Sequence, residues 1–298
     1  MNDAKSAVRV GFIGIGNMGM PMSTNLLKAG YSVTAFDRAQ DRLDTVVARG
    51  AKRAASIAEV VGQADVVFTS LPNDAALRSA ALGDEGVINS ARRNLVFMDT
   101  STVSPAVSAE VAEAAARRGV RYLRTTVSGN GVVAAAAALV VMASGPRDAF
   151  DEVLPLIRCI GRREFYLGEG EEARLMKLAV NLMISVASGM IGEALTLGRK
   201  SGLDWSQMLD VLASSSVASP MVLYKVPPLK ERDFSPTMSA ILQTKDVDLI
   251  LDCAKANHVP LYLTSAVRSL FQQLISTDGG EDDYIALVKQ VESISGVV

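Results

Sequence analysis

An apolar, β-branched run, Val8-Arg9-Val10-Gly11-Phe12-Ile13, breaks into Gly14-Ile15-Gly16-Asn17-Met18-Gly19, and a helical pattern follows at Met18, Met22, Leu26 and Leu27. Few short motifs constrain a fold more. In a G-x-G-x-x-G turn the first glycine permits a tight strand-to-helix turn. The second removes the side chain that would block close approach of a diphosphate, and the third lets the helix pack on the strand. The helix N-terminus then faces the anion. The context agrees: a strand over 8–13 precedes the turn, Gly30 stops the helix, and a second strand over 31–36 ends in Asp37. An acid about 20 residues past the glycines is placed for the ribose hydroxyls of a dinucleotide. Asp37 favours NAD, because a carboxylate repels a 2′-phosphate. Arg38 can stack on adenine or pair with a 2′-phosphate, which keeps NADP as the alternative.

The remaining chain extends the same alternation. Helices over 56–62, 74–82, 105–118 and 146–157 separate strands over 66–71, 95–99, 120–123, 139–143 and 164–167, which reads as a doubly wound, mostly parallel sheet. Beyond residue 167 the pattern is helical, starting with a long segment over 171–200 that ends at Gly202. Residues 178–192 of it carry no charge; this run is shorter than the roughly 20 residues of a bilayer span, and Asn181, Ser185 and Ser188 interrupt it. A buried central helix is expected. Further helices over 204–213, 239–256, 261–276 and 282–293 follow, with 225–236 read as a loop because it carries Pro227, Pro228 and Pro236. The alanine run 134–138 reads as packed helix or loop. The organisation predicted is a dinucleotide-binding α/β domain over 1–167 and an all-helical domain over 168–298, joined through the long helix.

Composition narrows the function. At 298 residues and 49% hydrophobic content the chain can bury a core in each domain. A net charge of −2 and a pI near 5.6, with scattered basic residues, argue against nucleic acid or an anionic membrane as partner. Cys159 and Cys253 lie in no C-x-x-C or Cys/His ligand spacing, so no metal site is expected. Residues 1–7 lack an apolar core and read as a leader without a secretion signal, making reducing cytoplasm the default compartment. The single histidine, His258, sits at a helix end and reads as structural. A histidine pair or Ser-His relay is thereby excluded, and another residue must move any proton.

Lys177 and Asn181 stand one turn apart on one face of the long helix and can meet the same small molecule. Among Leu178, Val180, Leu182 and Met183 an ammonium meets a desolvation cost that favours the neutral amine, a candidate general acid/base. A lysine that snorkels to solvent is the bland alternative. Asp99-Thr100-Ser101-Thr102-Val103-Ser104-Pro105 follows a strand and precedes a helix, where ligands bind in open parallel sheets. Ser101 and Thr102 could bond a substrate carboxylate or a carboxamide, although a helix cap before Pro105 explains the same letters. The turn Ser128-Gly129-Asn130-Gly131 offers backbone N–H groups to an oxyanion.

Taken together, Gly11 to Met22, Asp99 to Pro105, Lys177-Leu178-Ala179-Val180-Asn181 and Lys245-Asp246 give the chain, over nearly its whole length, a sequence that resembles the β-hydroxyacid dehydrogenase family. This family includes 3-hydroxyisobutyrate dehydrogenases and tartronate semialdehyde reductases. The resemblance implies hydride transfer between NAD(P) and the C–OH of a small β-hydroxy acid or its semialdehyde. Lys177 would be the acid/base and Asn181 would orient substrate; Ser128, Gly129 and Asn130, with Ser101 and Thr102, would bind it. Lys245 and Asp246 would close the site from the C-terminal helices. The cofactor set is Gly14, Gly16, Asn17, Met18 and Gly19, then Asp37 and Arg38, Leu71 and Pro72, with Thr102 and Lys245. A homodimer or homotetramer interlocked by the helical domains is also implied.

One departure stands out. Where the family reads Asp-Ala-Pro-Val-Ser-Gly-Gly, this chain has Arg124-Thr125-Thr126-Val127-Ser128-Gly129-Asn130, with Val133 and Ala137 in place of later glycines. A different loop path or a bulkier, more polar pocket floor is expected. An imine reductase of the same architecture is the alternative enzyme, although such relatives commonly lack the lysine. A non-catalytic dinucleotide-binding protein is the alternative of another class.

Overall fold

The computed structural model describes residues 8–297, so the expectation for residues 1–7 lies outside it. It divides into two compact units, the first ending at Lys177 and the second beginning at Leu178.

In the first unit the elements run β1 (Arg9–Ile13), α1 (Gly19–Lys28), β2 (Ser32–Phe36), α2 (Gln40–Val47), β3 (Lys52–Arg53), α3 (Ile57–Gln63), β4 (Val66–Thr69), α4 (Asp74–Leu82), α5 (Val87–Ser90), β5 (Val96–Asp99), α6 (Pro105–Arg118), β6 (Arg121–Ser128), α7 (Gly131–Ala135), β7 (Leu139–Ser144), α8 (Arg147–Ile160) and β8 (Gly161–Tyr166). The eight strands form one sheet in the order β3-β2-β1-β4-β5-β6-β7-β8. Side chains alternate across it: Phe12, Phe68, Met98 and Leu123 enter one buried cluster, while Val67, Phe97 and Tyr122 enter another with Val107 and Val111. Burial on both faces is what a parallel sheet covered by helices requires. Phe12 and Phe68, on adjacent strands, stack with centroids 5.4 Å apart.

The sheet is parallel from β3 to β6, but β7 runs antiparallel to β6 and β8 then pairs parallel with β7. Only residues 129–138 link β6 to β7, too few for the crossover that parallel pairing needs. The first unit also takes in the start of the following helix. Ser144 Oγ donates to Gly170 O at 2.8 Å, and Thr126 Oγ1 donates to Ala173 O at 3.0 Å, stitching the following helix to the sheet.

That helix is α9 (Glu172–Lys200), followed in the second unit by α10 (Trp205–Ser214), α11 (Pro220–Lys230), α12 (Ala240–Ala256), α13 (Tyr262–Ser276), a 3-10 turn (Tyr284–Ala286) and α14 (Leu287–Ile294). Side-chain caps at Asp204, Ser219 and Ser239 start three of these helices. Of the residues read as a loop over 225–236, the first six are helical, and Pro227 and Pro228 fall in the last turns of α11. Tertiary anchors override the prolines there. Lys225 Nζ donates to Asp283 Oδ1 and Oδ2 at 2.6 and 2.7 Å, and Trp205 Nε1 donates to Leu229 O at 2.8 Å. Burial among Tyr224 and Tyr284 pushes the Lys225 pKa down despite Asp283. Among the described residues α9 alone is long and apolar enough to cross a membrane, and 44% of its most apolar stretch is buried inside the protein.

Candidate active site at the carboxyl edge of the sheet

Strand order reverses between β1 and β4, the topological switch point where ligands enter an open α/β sheet. Gly14, with φ +90°, lies at the end of β1, and a Cβ there would strike Ser70 O; a Cβ on Gly19 would strike Gly14 O. These two glycines answer to the fold. Gly16 does not: a Cβ there would meet only Arg42 Nη1, at 3.7 Å. The space above Gly16 is the cradle that a diphosphate needs and a side chain would fill, so the residues present fit a dinucleotide. Asn17 is exposed and Met18 half-buried in the same turn.

Asp37 directly follows β2 and is fixed by two backbone donors, Ile15 N to Oδ2 at 2.6 Å and Ala39 N to Oδ1 at 2.8 Å. The carboxylate is thereby locked beside the glycine turn, and each oxygen keeps a lone pair for a hydroxyl. Arg38 next to it is exposed. Leu71 and Pro72 follow β4, half-buried and exposed respectively, on the same edge.

After β5, the Ser101 hydroxyl donates to Asp99 Oδ1 at 2.5 Å and accepts from Leu71 N at 2.9 Å, tying the two loops together. Thr102 next to it is half-buried. The helix cap considered for this stretch is Ser104, which accepts from Val107 N ahead of Pro105.

The departure at 124–130 also resolves differently. Arg124 does not form a polar pocket floor; its guanidinium turns inward, bonds Glu171 and lies 5.0 Å over the Tyr122 ring. β6 continues four residues past the level of Asp99, which pairs with Arg124, and so carries Ser128 beyond the end of β5. Gly129 takes φ +138°, and Asn130 accepts from Val133 N at 3.0 Å to start α7. The chain turns here from β6 into α7, with the Asn130 side chain serving as the cap. Asn25 Nδ2 donates to Ala134 O at 2.7 Å, holding α7 against α1.

Lys177 closes the first unit, half-buried on α9. Sequence reasoning missed the residue one turn before it. Arg174 is 1% exposed and its guanidinium bonds Asp99 and the carbonyl of Ser101, with Tyr122 OH at 3.0 Å and Ser108 Oγ at 3.2 Å. Burial alone would depress Arg174, but Tyr122 and Asp99 outweigh it and its pKa is raised. Burial pushes Tyr122 up to about 12, so its hydroxyl stays protonated. In the second unit Asn181 is buried and donates to Asp246 Oδ2 at 2.7 Å, while Lys245 Nζ lies 2.7 Å from Asp246 Oδ1. Three expected site residues thus form one cluster. No group of three His, Cys, Asp or Glu that could hold a metal is found among the described residues. His258 lies exposed just past the end of α12 at φ +56°.

Comparison with known proteins agrees with this architecture. Residues 9–168 match the NAD binding domain of 6-phosphogluconate dehydrogenase, and residues 171–291 match the NAD-binding domain of NADP-dependent 3-hydroxyisobutyrate dehydrogenase. The chain is 32% identical to 2-(hydroxymethyl)glutarate dehydrogenase of Eubacterium barkeri, over 98% of both chains. It is 31% identical to the NAD-dependent L-serine dehydrogenase of Pseudomonas aeruginosa, over 97% of this chain and 99% of the other. The crystal structure of 3-hydroxyisobutyrate dehydrogenase from Salmonella typhimurium superposes with a TM-score of 0.87 at 28% identity, covering 95% of this chain and 99% of that one. The glycine cradle, the locked Asp37 and these full-length matches lead to one conclusion: the chain belongs to the β-hydroxyacid dehydrogenase family of NAD(P)-dependent oxidoreductases.

Proposed function

We propose that the protein interconverts a small β-hydroxy acid and its carbonyl form, with Lys177 as general acid/base. The dinucleotide, when bound, supplies the hydride acceptor or donor. Lys177 as the neutral amine takes the substrate hydroxyl proton while the carbon is oxidised, and as the ammonium returns a proton to the oxygen on reduction. The backbone N–H groups of Ser128 and Gly129 receive the substrate carboxylate, with Thr102 beside them. Asn181 orients the substrate and is itself oriented by Asp246, with Lys245 completing that cluster. Asp37 selects NAD by accepting from the ribose hydroxyls.

The observation that carries the reading is the attachment of α9. Arg174, three residues before Lys177, bonds Asp99 and Ser101 O at the carboxyl edge of the sheet, so the lysine rides on an element tied to the cofactor edge. The test follows nicotinamide absorbance with NAD+ and NADP+ across β-hydroxy acids, including L-serine and 3-hydroxyisobutyrate, and with reduced cofactors across semialdehydes. Turnover of at least one acid is expected, and Lys177→Ala should lower kcat about 100-fold or more with dinucleotide affinity intact. Full activity in Lys177→Ala, or reduction of a cyclic imine with no acid or semialdehyde turned over, would overturn it.

The same reading includes self-association. The face of α9 that bears Met176, Met183, Met190 and Leu197 is exposed along its length, and a second copy of the chain is its proposed occupant.

A further inference from the structure

A buried guanidinium is an expensive way to fill a core, and an apolar side chain of similar volume often does at least as well for stability. Arg174 calls for another explanation. Asp99 Oδ1 accepts from Thr69 Oγ1 at 2.6 Å, from Ser101 Oγ at 2.5 Å and from Ser101 N at 3.1 Å. Ser101 Oγ in turn accepts from Leu71 N at 2.9 Å. One carboxylate therefore gathers the end of β4, the loop after it and the loop after β5. Arg174 binds the other oxygen of that carboxylate and the Ser101 carbonyl, and anchors on α6 through Ser108.

We propose that Arg174 is a positioning residue: through Asp99 and Ser101 it fixes the register of the first turns of α9 against the cofactor-edge loops, and thereby places the Lys177 amine. The proposal rests on the assignment of Lys177 as acid/base. A planar fork suits this task because its donors hold several acceptors in fixed relative directions, which the three rotatable donors of a lysine do not. The other ties at this point, from Thr126 and Ser144 to the backbone of Gly170 and Ala173, restrain the helix start as well. Arg124 adds a tie through the Glu171 side chain just before the helix, and Arg174 is the side chain of α9 itself that reaches Asp99 and Ser101 O.

The test uses Arg174→Lys, Arg174→Gln and the milder Ser108→Ala, which removes the Nε contact and a long 3.5 Å contact to Tyr122 OH while leaving the Arg174 bonds to Asp99 and Ser101 O, and so supplies a folded variant if Arg174→Gln is not one. The full chain is reductively methylated with 13C-formaldehyde, and the Lys177 resonance, identified by its absence in Lys177→Ala, is titrated by NMR. NADH affinity is measured by fluorescence, and kcat with the hydroxy acid turned over fastest. The Lys177 midpoint is expected to move by half a pH unit or more in Arg174→Lys, with kcat about 10-fold lower, NADH affinity within about twofold, and a smaller change of the same kind in Ser108→Ala. An unmoved midpoint with wild-type kcat in the folded variants, whatever their melting temperatures, would reduce Arg174 to a core residue. Wild-type turnover in Lys177→Ala would instead overturn the lysine assignment, and the midpoint alone would then decide whether Arg174 places that amine.

Discussion

Ala137 occupies a backbone conformation that belongs to glycine. It ends α7 at φ +53°, with Ala137 N bonded to Ala134 O and Ala138 N to Val133 O, as a left-handed helix terminator does. An alanine there crowds its Cβ against the backbone at a cost of about 1 kcal/mol, while a glycine would give back part of that through unfolded-chain entropy. Ala137→Gly should therefore raise stability by about 0.5 kcal/mol, seen as a higher midpoint in urea; a lower midpoint would contradict the strain. The glycine turn was legible in the sequence because its backbone demands are local: Gly14 sits at φ +90°, and a Cβ on Gly19 would strike Gly14 O within the same turn. Arg174 was not. A charge at a helix start reads as solvated, and only the fold brings Asp99, Ser101 and Tyr122 around it. Arg124 misled for the same reason, since its partner Glu171 lies 47 residues away.

At the scale of elements, periodicity located the long helices and the buried strands. It missed α2, which buries only Leu43 and Val46, and β3, whose two residues are exposed. It also missed α11, where Pro227 and Pro228 outvoted an anchoring visible only in three dimensions. The second unit has another such anchor at Glu292 of α14. Arg199 Nη1 and Arg232 Nη1 both donate to Oε1 at 2.8 Å, and Arg232 Nη2 donates to Oε2 at 2.7 Å, joining the end of α9 and the segment after α11 to α14. Burial would raise the carboxyl, but the two arginines outweigh it and its pKa is lowered from the ordinary 4.5. The unfolded chain then binds the proton more tightly than the folded one. The stabilisation is fully present above pH 4.5 and is lost as pH falls through the lower folded value. Glu292→Gln should cost about 2 kcal/mol in urea melts at neutral pH and less as the pH is lowered below that range. An equal cost at every pH would detach Glu292 from the acid limb.

The whole molecule poses a question that the single chain leaves open, namely what covers α9. Met176, Met183, Met190 and Leu197 recur every seven residues and are 44%, 72%, 54% and 71% exposed, a stripe on one face, while Leu178, Ser185, Ile191 and Leu195 are buried on the other. A straight helix drifts only about 20° per seven residues, so such a stripe stays aligned over three repeats. Lipid is a poor occupant, because Glu193 lies on the exposed side and Lys177, Arg199 and Lys200 punctuate the helix. A second α9 is a good one, since methionine adapts to an imperfectly matched surface. Four side chains fall short of the roughly 800 Å² per partner of a stable interface. Other exposed apolar groups of the second unit, among them Val211, Tyr262 and Leu263, must then contribute. Met183→Glu combined with Met190→Glu places two charges in the stripe, and should at least halve the mass measured by light scattering at micromolar concentration. The fold of each unit should survive, because both positions face outward. A wild-type chain that is already monomeric, or a double variant that keeps its assembly, would remove the second copy from this face.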